Sequence, residues 1–218
     1  MRMVRMEGMA MIVQSLTNDQ TDVLGEVANI SMGNSATTLS MMVNRKVSIT
    51  TPSVKIISRS ASLDDYEKTC VFVQIHYIKG LSGNNVLILK DHDVKCMTDL
   101  MMGGDGTHTD GEISELQLSA ASEAMNQMMG TSATSMSTML NIPIDISTPV
   151  VNHIDVESVK LFEKMFDSSE EKFVKIAFRM EIGDLIDSTM VQLYPVHFAV
   201  DMCEKFKEGK LQGRVPEK

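Results

Sequence analysis

The chain has 218 residues, 43% hydrophobic and 22% charged, with a formal net charge of -9. That length supports a core without disulfides or metal. The acidic balance argues against nucleic acid as a partner, because phosphate binding needs a basic stripe. No apolar run reaches the roughly 20 residues that span a bilayer, so no membrane insertion is expected. Cys70, Cys96 and Cys203 are scattered and odd in number, and His76, His92, His108, His153 and His197 lack metal-ligand spacing. Neither a disulfide framework nor a metal is therefore expected, and the compartment reads as reducing. Most of the 20 methionines read as core filler.

The start, Met1 to Val13, mixes Arg2, Arg5 and Glu7 with an apolar stretch too short for a signal peptide. A helix is expected over about 18–43, from Val23, Val27 and Ile30 at helical spacing. Gly33 inside it implies a packing reason, and Ser35 and Ala36 suit a close helix contact. A β-branched strand over Val47 to Pro52 follows, ended by the proline. Residues 53–68 are polar and undecided. Cys70 to Ile78 alternates as a half-buried strand, and Val86 to Leu89 makes the next. A helix at about 91–102 precedes the glycine-rich turn Gly103, Gly104, Asp105, Gly106. The pattern then starts again. A helix at about 112–140 carries Leu116, Ala120 and Ala124, then Gly130, Ser132 and Ala133. Strands follow at Ile144 to Pro149, Phe173 to Ile182 and Met190 to Tyr194, with 152–170 undecided, and a helix at about 196–207. Glu208 to Lys218 lacks periodicity and reads as a linker-like tail.

The recurrence is literal. Residues 22–52 and 119–149 align without a gap at an offset of 97, with 13 of 31 positions identical. The expected fold is α+β: a duplicated unit with pseudo-twofold symmetry and a mostly antiparallel central sheet flanked by helices. The organisation is an N-terminal segment 1–14, a single domain over 15–207 made of repeats 15–106 and 107–207, and the tail 208–218.

Each repeat carries Asp or Ser, then Glu four residues on, then Asn three further, then Pro after 22 intervening residues. The first copy is Asp22, Glu26, Asn29 and Pro52; the second is Ser119, Glu123, Asn126 and Pro149. Positions i, i+4 and i+7 share one helix face, so Glu and Asn stand side by side one turn apart. A single such pair is an ordinary solvated face. Asn is also a poor interior helix residue, because its side chain competes with the backbone. Recurrence of the entire spacing is what makes the pattern specific.

The doubled pattern resembles the CheC, CheX and FliY family of CheY phosphatases, most nearly the middle domain of the flagellar switch members, over roughly 15–207. The resemblance implies a CheC-like, FliM-middle-domain-like α/β/α fold. It implies hydrolysis of the aspartyl phosphate of phosphorylated CheY. Asn29 and Asn126 would orient a water, and Glu26 and Glu123 would pair with the CheY lysine beside the phosphate. Asp22 and Ser119 would shape the helix face or contact CheY. No cofactor of its own is implied, since the Mg²⁺ is the one CheY holds. The loop Gly103 to Gly106 resembles the glycine loop of FliM and FliY that contacts FliG. Flagellar switch partners (FliG, FliM and FliN-like proteins) and the cytoplasmic face of the flagellar basal body follow. Met1 to Leu16 lacks the acidic CheY-binding peptide of many FliY proteins, and such proteins normally continue into a FliN-like domain. Two alternatives stay open: a non-catalytic FliM-like rotor adaptor binding FliG, and a free-standing CheC-type phosphatase binding CheD.

Overall fold

The computed structural model describes residues 15–62, 69–155, 165–167 and 169–212. The N-terminal segment 1–14 and residues 213–218 of the tail lie outside the described residues.

Helix α1 (Asn18–Val43) and helix α3 (Glu115–Leu140) have the same start and the same stop. Thr17 caps α1 by accepting from the Gln20 N–H at 3.1 Å, while its own N–H donates to Gln20 Oε1 at 2.9 Å. Ser114 and Gln117 form the same reciprocal box on α3, at 3.2 and 2.9 Å. Such a box satisfies donors that a helix start leaves without partners. Asn44 (φ 51°) and Asn141 (φ 55°) end the helices in the left-handed region, which Asn tolerates better than most residues. Ser40 and Ser137 then accept from the backbone N–H of Val47 (2.9 Å) and Ile144 (3.1 Å), fixing each helix to the strand after it.

The strands are β1 (Val47–Ser58), β2 (Thr69–Lys79), β3 (Gly83–Lys90), β4 (Asp145–Ile146), β5 (Val150–Asp155), β6 (Lys172–Ile182) and β7 (Ile186–Pro195). They form one antiparallel sheet in the order β1-β6-β7-β3-β2, with β4 and β5 both on the far edge of β2. This order reads the same from either end when the repeats are exchanged, as pseudo-twofold symmetry requires. The first strand of each repeat pairs with the hairpin of the other: β1 with β6, and β5 with β2. Each repeat was expected to run helix, three strands and a helix; the structure shows in addition that the edge strands are exchanged between the repeats.

The prolines also differ from expectation. Pro52 does not end its strand; β1 continues to Ser58 and shifts register between Thr50 and Ser53, at the proline. Pro149 lies in the gap that separates β4 from β5. Both repeats thus interrupt an edge-strand ladder where the chain lacks an N–H to donate.

Helix α2 (Asp91–Met101) follows β3, and helix α4 (Val196–Gln212) follows β7. Helix α4 runs to Gln212, into the stretch read as a tail. Helices α1 to α4 share one core with the same face of the sheet, including Leu24, Met32, Leu39, Met97, Met125, Phe178 and Phe198. The opposite face carries a smaller cluster around Phe72, Ile88, Phe173 and Leu193, closed by Met165 and Phe166. Met32, Met97, Met125, Met128, Met129, Met136, Met180, Met190 and Met202 are core residues. Cys70, Cys96 and Cys203 are buried. Burial pushes the Cys96 and Cys203 thiols up to about 11, which leaves them protonated and poor nucleophiles.

The exchanged edge strands make the halves interdependent. Expressed separately, 1–108 and 109–218 are each expected to show no cooperative thermal unfolding, because each lacks the hairpin that its edge strand needs. Co-expression is expected to restore one cooperative transition by circular dichroism.

Candidate functional site

Asp22, Glu26 and Asn29 are all exposed on α1, and Ser119, Glu123 and Asn126 are all exposed on α3. Helical spacing puts each trio on one outward face because the residues between them hold the helix down. Val23, Leu24, Val27 and Ala28 are buried in the first copy, and Ala121, Ala124 and Met125 in the second. The structure thus brings Asp22, Glu26 and Asn29 onto one face, and likewise Ser119, Glu123 and Asn126. It places Pro52 and Pro149 elsewhere, Pro52 within edge strand β1 and Pro149 in the gap between β4 and β5.

The two faces are held together by contacts between the helices. Ser35 Oγ donates to the Met128 carbonyl at 2.8 Å. Thr38 and Thr131 hydroxyls meet at 2.9 Å, and Asn34 Nδ2 donates to Ser135 Oγ at 2.8 Å. The last two bonds are exchanged by the pseudo-twofold, since 34 and 38 plus the offset of 97 give 131 and 135. Both helices lie on one sheet face and touch across the axis, so the axis runs normal to the sheet and the helices are antiparallel. Antiparallel packing sends the two motif faces toward opposite ends of the helix pair.

The expected packing role of Gly33 and Gly130 is not what the structure shows. A Cβ at either glycine would meet nothing within 4 Å. The close contact is made by Ser35, Thr38, Thr131 and Ser135 instead. Each glycine stands four residues after its Asn, on the same face, so each motif Asn has a bare backbone patch beside it. Ile30 and Leu116, which mark the helical period in the sequence, border the buried stripes: Ile30 is 41% exposed next to Asn29, and Leu116 is 67% exposed.

The motif carboxylates have local partners. Glu123 Oε1 accepts from Gln127 Nε2 at 2.9 Å within its own helix. Glu26 Oε2 lies 3.5 Å from Lys210 Nζ of α4. A side-chain amide such as that of Asn29 or Asn126 can donate and accept together at any pH, which suits the holding of a water molecule.

The glycine turn is shaped by Asp99 at the end of α2. Asp99 Oδ2 accepts from the Gly106 N–H at 2.8 Å. A Cβ on Gly104 would lie 2.4 Å from the Asp99 carboxylate oxygens. Gly103 (φ 90°) and Gly106 (φ 89°) occupy conformations that side chains disfavour. Gly103, Gly104 and Asp105 are exposed, while Gly106 is buried against Leu185. Thr107 donates twice to Asp105, at 3.0 and 2.6 Å, and these bonds hold the Asp105 carboxyl below its ordinary range. Asp99, Asp105 and His108 gather here with ligand atoms within 4.8 Å, a grouping that sequence spacing did not show. Their hydrogen bonds to Gly106 and Thr107 already account for Asp99 and Asp105 as supports of the turn.

The family model described as the CheC-like family matches residues 20–56 and 116–153, the two helix-and-strand repeats. The flagellar motor switch phosphatase FliY of Bacillus subtilis strain 168 is 46% identical over 198 residues, which is 91% of this chain and 52% of that protein. The chain thus spans about half the length of that relative. The crystal structure of Thermotoga maritima FliY is 39% identical, with a TM-score of 0.83, covering 89% of this chain and 98% of that one. The FliG-FliM complex from H. pylori matches at 17% identity and a TM-score of 0.71, over 87% of this chain and 100% of that one, a likeness of fold alone.

Two substitutions test the local physics. Gly33→Ala and Gly130→Ala are each expected to stabilise the fold by about 0.5–1 kcal/mol, because Ala has open space and the better helix propensity; thermal melts read this. Gly106→Ala is expected to destabilise by about 1–3 kcal/mol through its φ and its contact with Leu185; chemical denaturation reads that.

Proposed function

Since this chain belongs to the CheC-like family of FliY-type proteins, we propose that it hydrolyses the aspartyl phosphate of phosphorylated CheY, as a component of the flagellar motor switch. The observation that carries this is the outward presentation of two equivalent Glu and Asn pairs, each on a buried-backed helix and each beside a bare glycine patch. The name of the Bacillus subtilis relative supports the phosphatase class.

The chemistry asks little of the catalyst beyond placement. A water oxygen attacks phosphorus in line, the bond from phosphorus to the CheY aspartate oxygen breaks, and inorganic phosphate and a free carboxylate result. The Mg²⁺ that offsets charge on the phosphoryl oxygens arrives with CheY. Asn29 or Asn126 enters the CheY site and fixes the attacking water by donating and accepting, which supplies orientation. Glu26 or Glu123 pairs with the CheY lysine beside the phosphate and so positions the Asn. The patches at Gly33 and Gly130 give CheY room to approach the helix, and exposed Ile30 offers an apolar contact beside Asn29. Asp22 and Ser119 border the same contact.

The exposed Gly103, Gly104 and Asp105 form the surface through which the chain contacts FliG, beside FliM and FliN-like proteins at the cytoplasmic face of the basal body. A purely structural, FliM-like adaptor would have no use for two intact Glu and Asn faces, so the catalytic reading is preferred.

Phosphate release from phosphorylated CheY with Mg²⁺ tests the reading. Asn29→Ala and Asn126→Ala are each expected to lower the added rate, and together to return it to the spontaneous one, a loss of tenfold or more. Glu26→Gln and Glu123→Gln are expected to act mainly on KM. Substitutions in Gly103 to Asp105 are expected to weaken capture of FliG while leaving phosphate release intact.

A further inference from the structure

The two copies are not equivalent, and the difference lies in how far the helix after each hairpin extends. Counted from their first residues, Asp91 and Val196, the two helices correspond at an offset of 105. On that count Gly104 corresponds to Gly209, and Asp105 to Lys210. Helix α2 stops at Met101 and the chain turns away through the glycine loop. Helix α4 continues through the corresponding positions to Gln212.

The extension is fixed in place. Gly209 is buried, and a Cβ there would lie 2.4 Å from the Leu140 carbonyl oxygen at the end of α3. Lys207 pairs with Asp19 in the first turn of α1. Lys210 stands with its ammonium 4.2 Å from the Phe206 ring centroid and 3.5 Å from Glu26 Oε2. A cation held over an aromatic ring is positioned as well as charged. Among the described residues, the partner on Glu123 is the neutral Gln127 amide.

We propose that Lys210 is an internal competitor for Glu26, occupying the carboxylate that a substrate cation would engage and so holding the first site below the second. This rests on the proposed pairing of Glu26 and Glu123 with a lysine of the partner. Lys210 and Glu26 are both about half exposed, at 52% and 49%. An exposed pair of this kind contributes at most about 1 kcal/mol, or about a fivefold change in occupancy. The competition therefore tunes the site and does not close it. It sets an order of use: the Glu123 and Asn126 face engages first, and the Glu26 and Asn29 face follows as substrate rises.

The test isolates each site. Phosphate release from phosphorylated CheY is followed in the Asn126→Ala background, where only the first site works, and in the Asn29→Ala background, where only the second does. Lys210→Met keeps an apolar stem on Phe206 and removes the charge. It is expected to lower KM about two- to fivefold in the first background and to change nothing in the second. Lys210→Arg keeps the charge and is expected to behave as the parent. The gain from Lys210→Met is expected to shrink as salt rises, since exposed charges are screened. No change at the first site, a rise in its KM, or an equal change at both sites overturns the proposal. If Lys210 has no effect while both backgrounds are active, the competitor alone fails. If neither background exceeds spontaneous release, the phosphatase reading fails and the competitor with it.

Discussion

The crossing of α1 and α3 is the constraint on which the rest depends. Three side-chain bonds, from Ser35 to the Met128 carbonyl, between Thr38 and Thr131, and from Asn34 to Ser135, join the helices where the pseudo-twofold passes. Each such bond is worth about 1 kcal/mol net, so together they fix geometry more than they hold the fold. What they fix is the placement of two outward faces on one rigid pair. The buried stripe, with Leu24, Met32 and Leu39 on one helix and Met125, Met128 and Met136 on the other, supplies the stabilisation. The outer face is free of that duty and can carry Glu and Asn.

The exchanged edge strands reinforce the pairing. Because β1 completes the sheet beside β6 and β5 beside β2, neither helix can move without its strand disturbing the other repeat. The seryl bonds from Ser40 to Val47 and from Ser137 to Ile144 pass that restraint to the helices. A catalyst that works by placing one amide against another protein's active site requires this kind of rigidity, since misplacement by about 1 Å costs rate steeply.

Much of this was legible in the sequence because duplication made each copy a control on the other. The helices expected at about 18–43 and 112–140, the second of which starts at Glu115, the paired hairpins and the shared face of Glu and Asn follow from periodicity and spacing. The identities at Asn44 and Asn141, and at Ser40 and Ser137, have local reasons that the caps reveal; the capping boxes at Thr17 and Ser114 were equally readable. Strand exchange was not, because the choice between pairing within a repeat and across repeats is made by nonlocal contacts. The role of Gly33 and Gly130 was misread because a helical glycine looks alike from sequence whether it faces a neighbour or open space. The end of α4 was read as a tail because Glu208 to Gln212 lacks an apolar period of its own. It is held by tertiary contacts, Gly209 on Leu140, Lys207 on Asp19 and Lys210 on Glu26.

On the proposed function, the two asparagines supply the water-positioning step and not merely the affinity. The measurement that tests it most directly compares binding with rate for the Asn29→Ala/Asn126→Ala chain. Binding is read with CheY activated by beryllofluoride, and rate by single-turnover phosphate release from phosphorylated CheY. Affinity is expected within a few-fold of the parent chain, and release no faster than spontaneous. A double variant that binds and still accelerates release would contradict it.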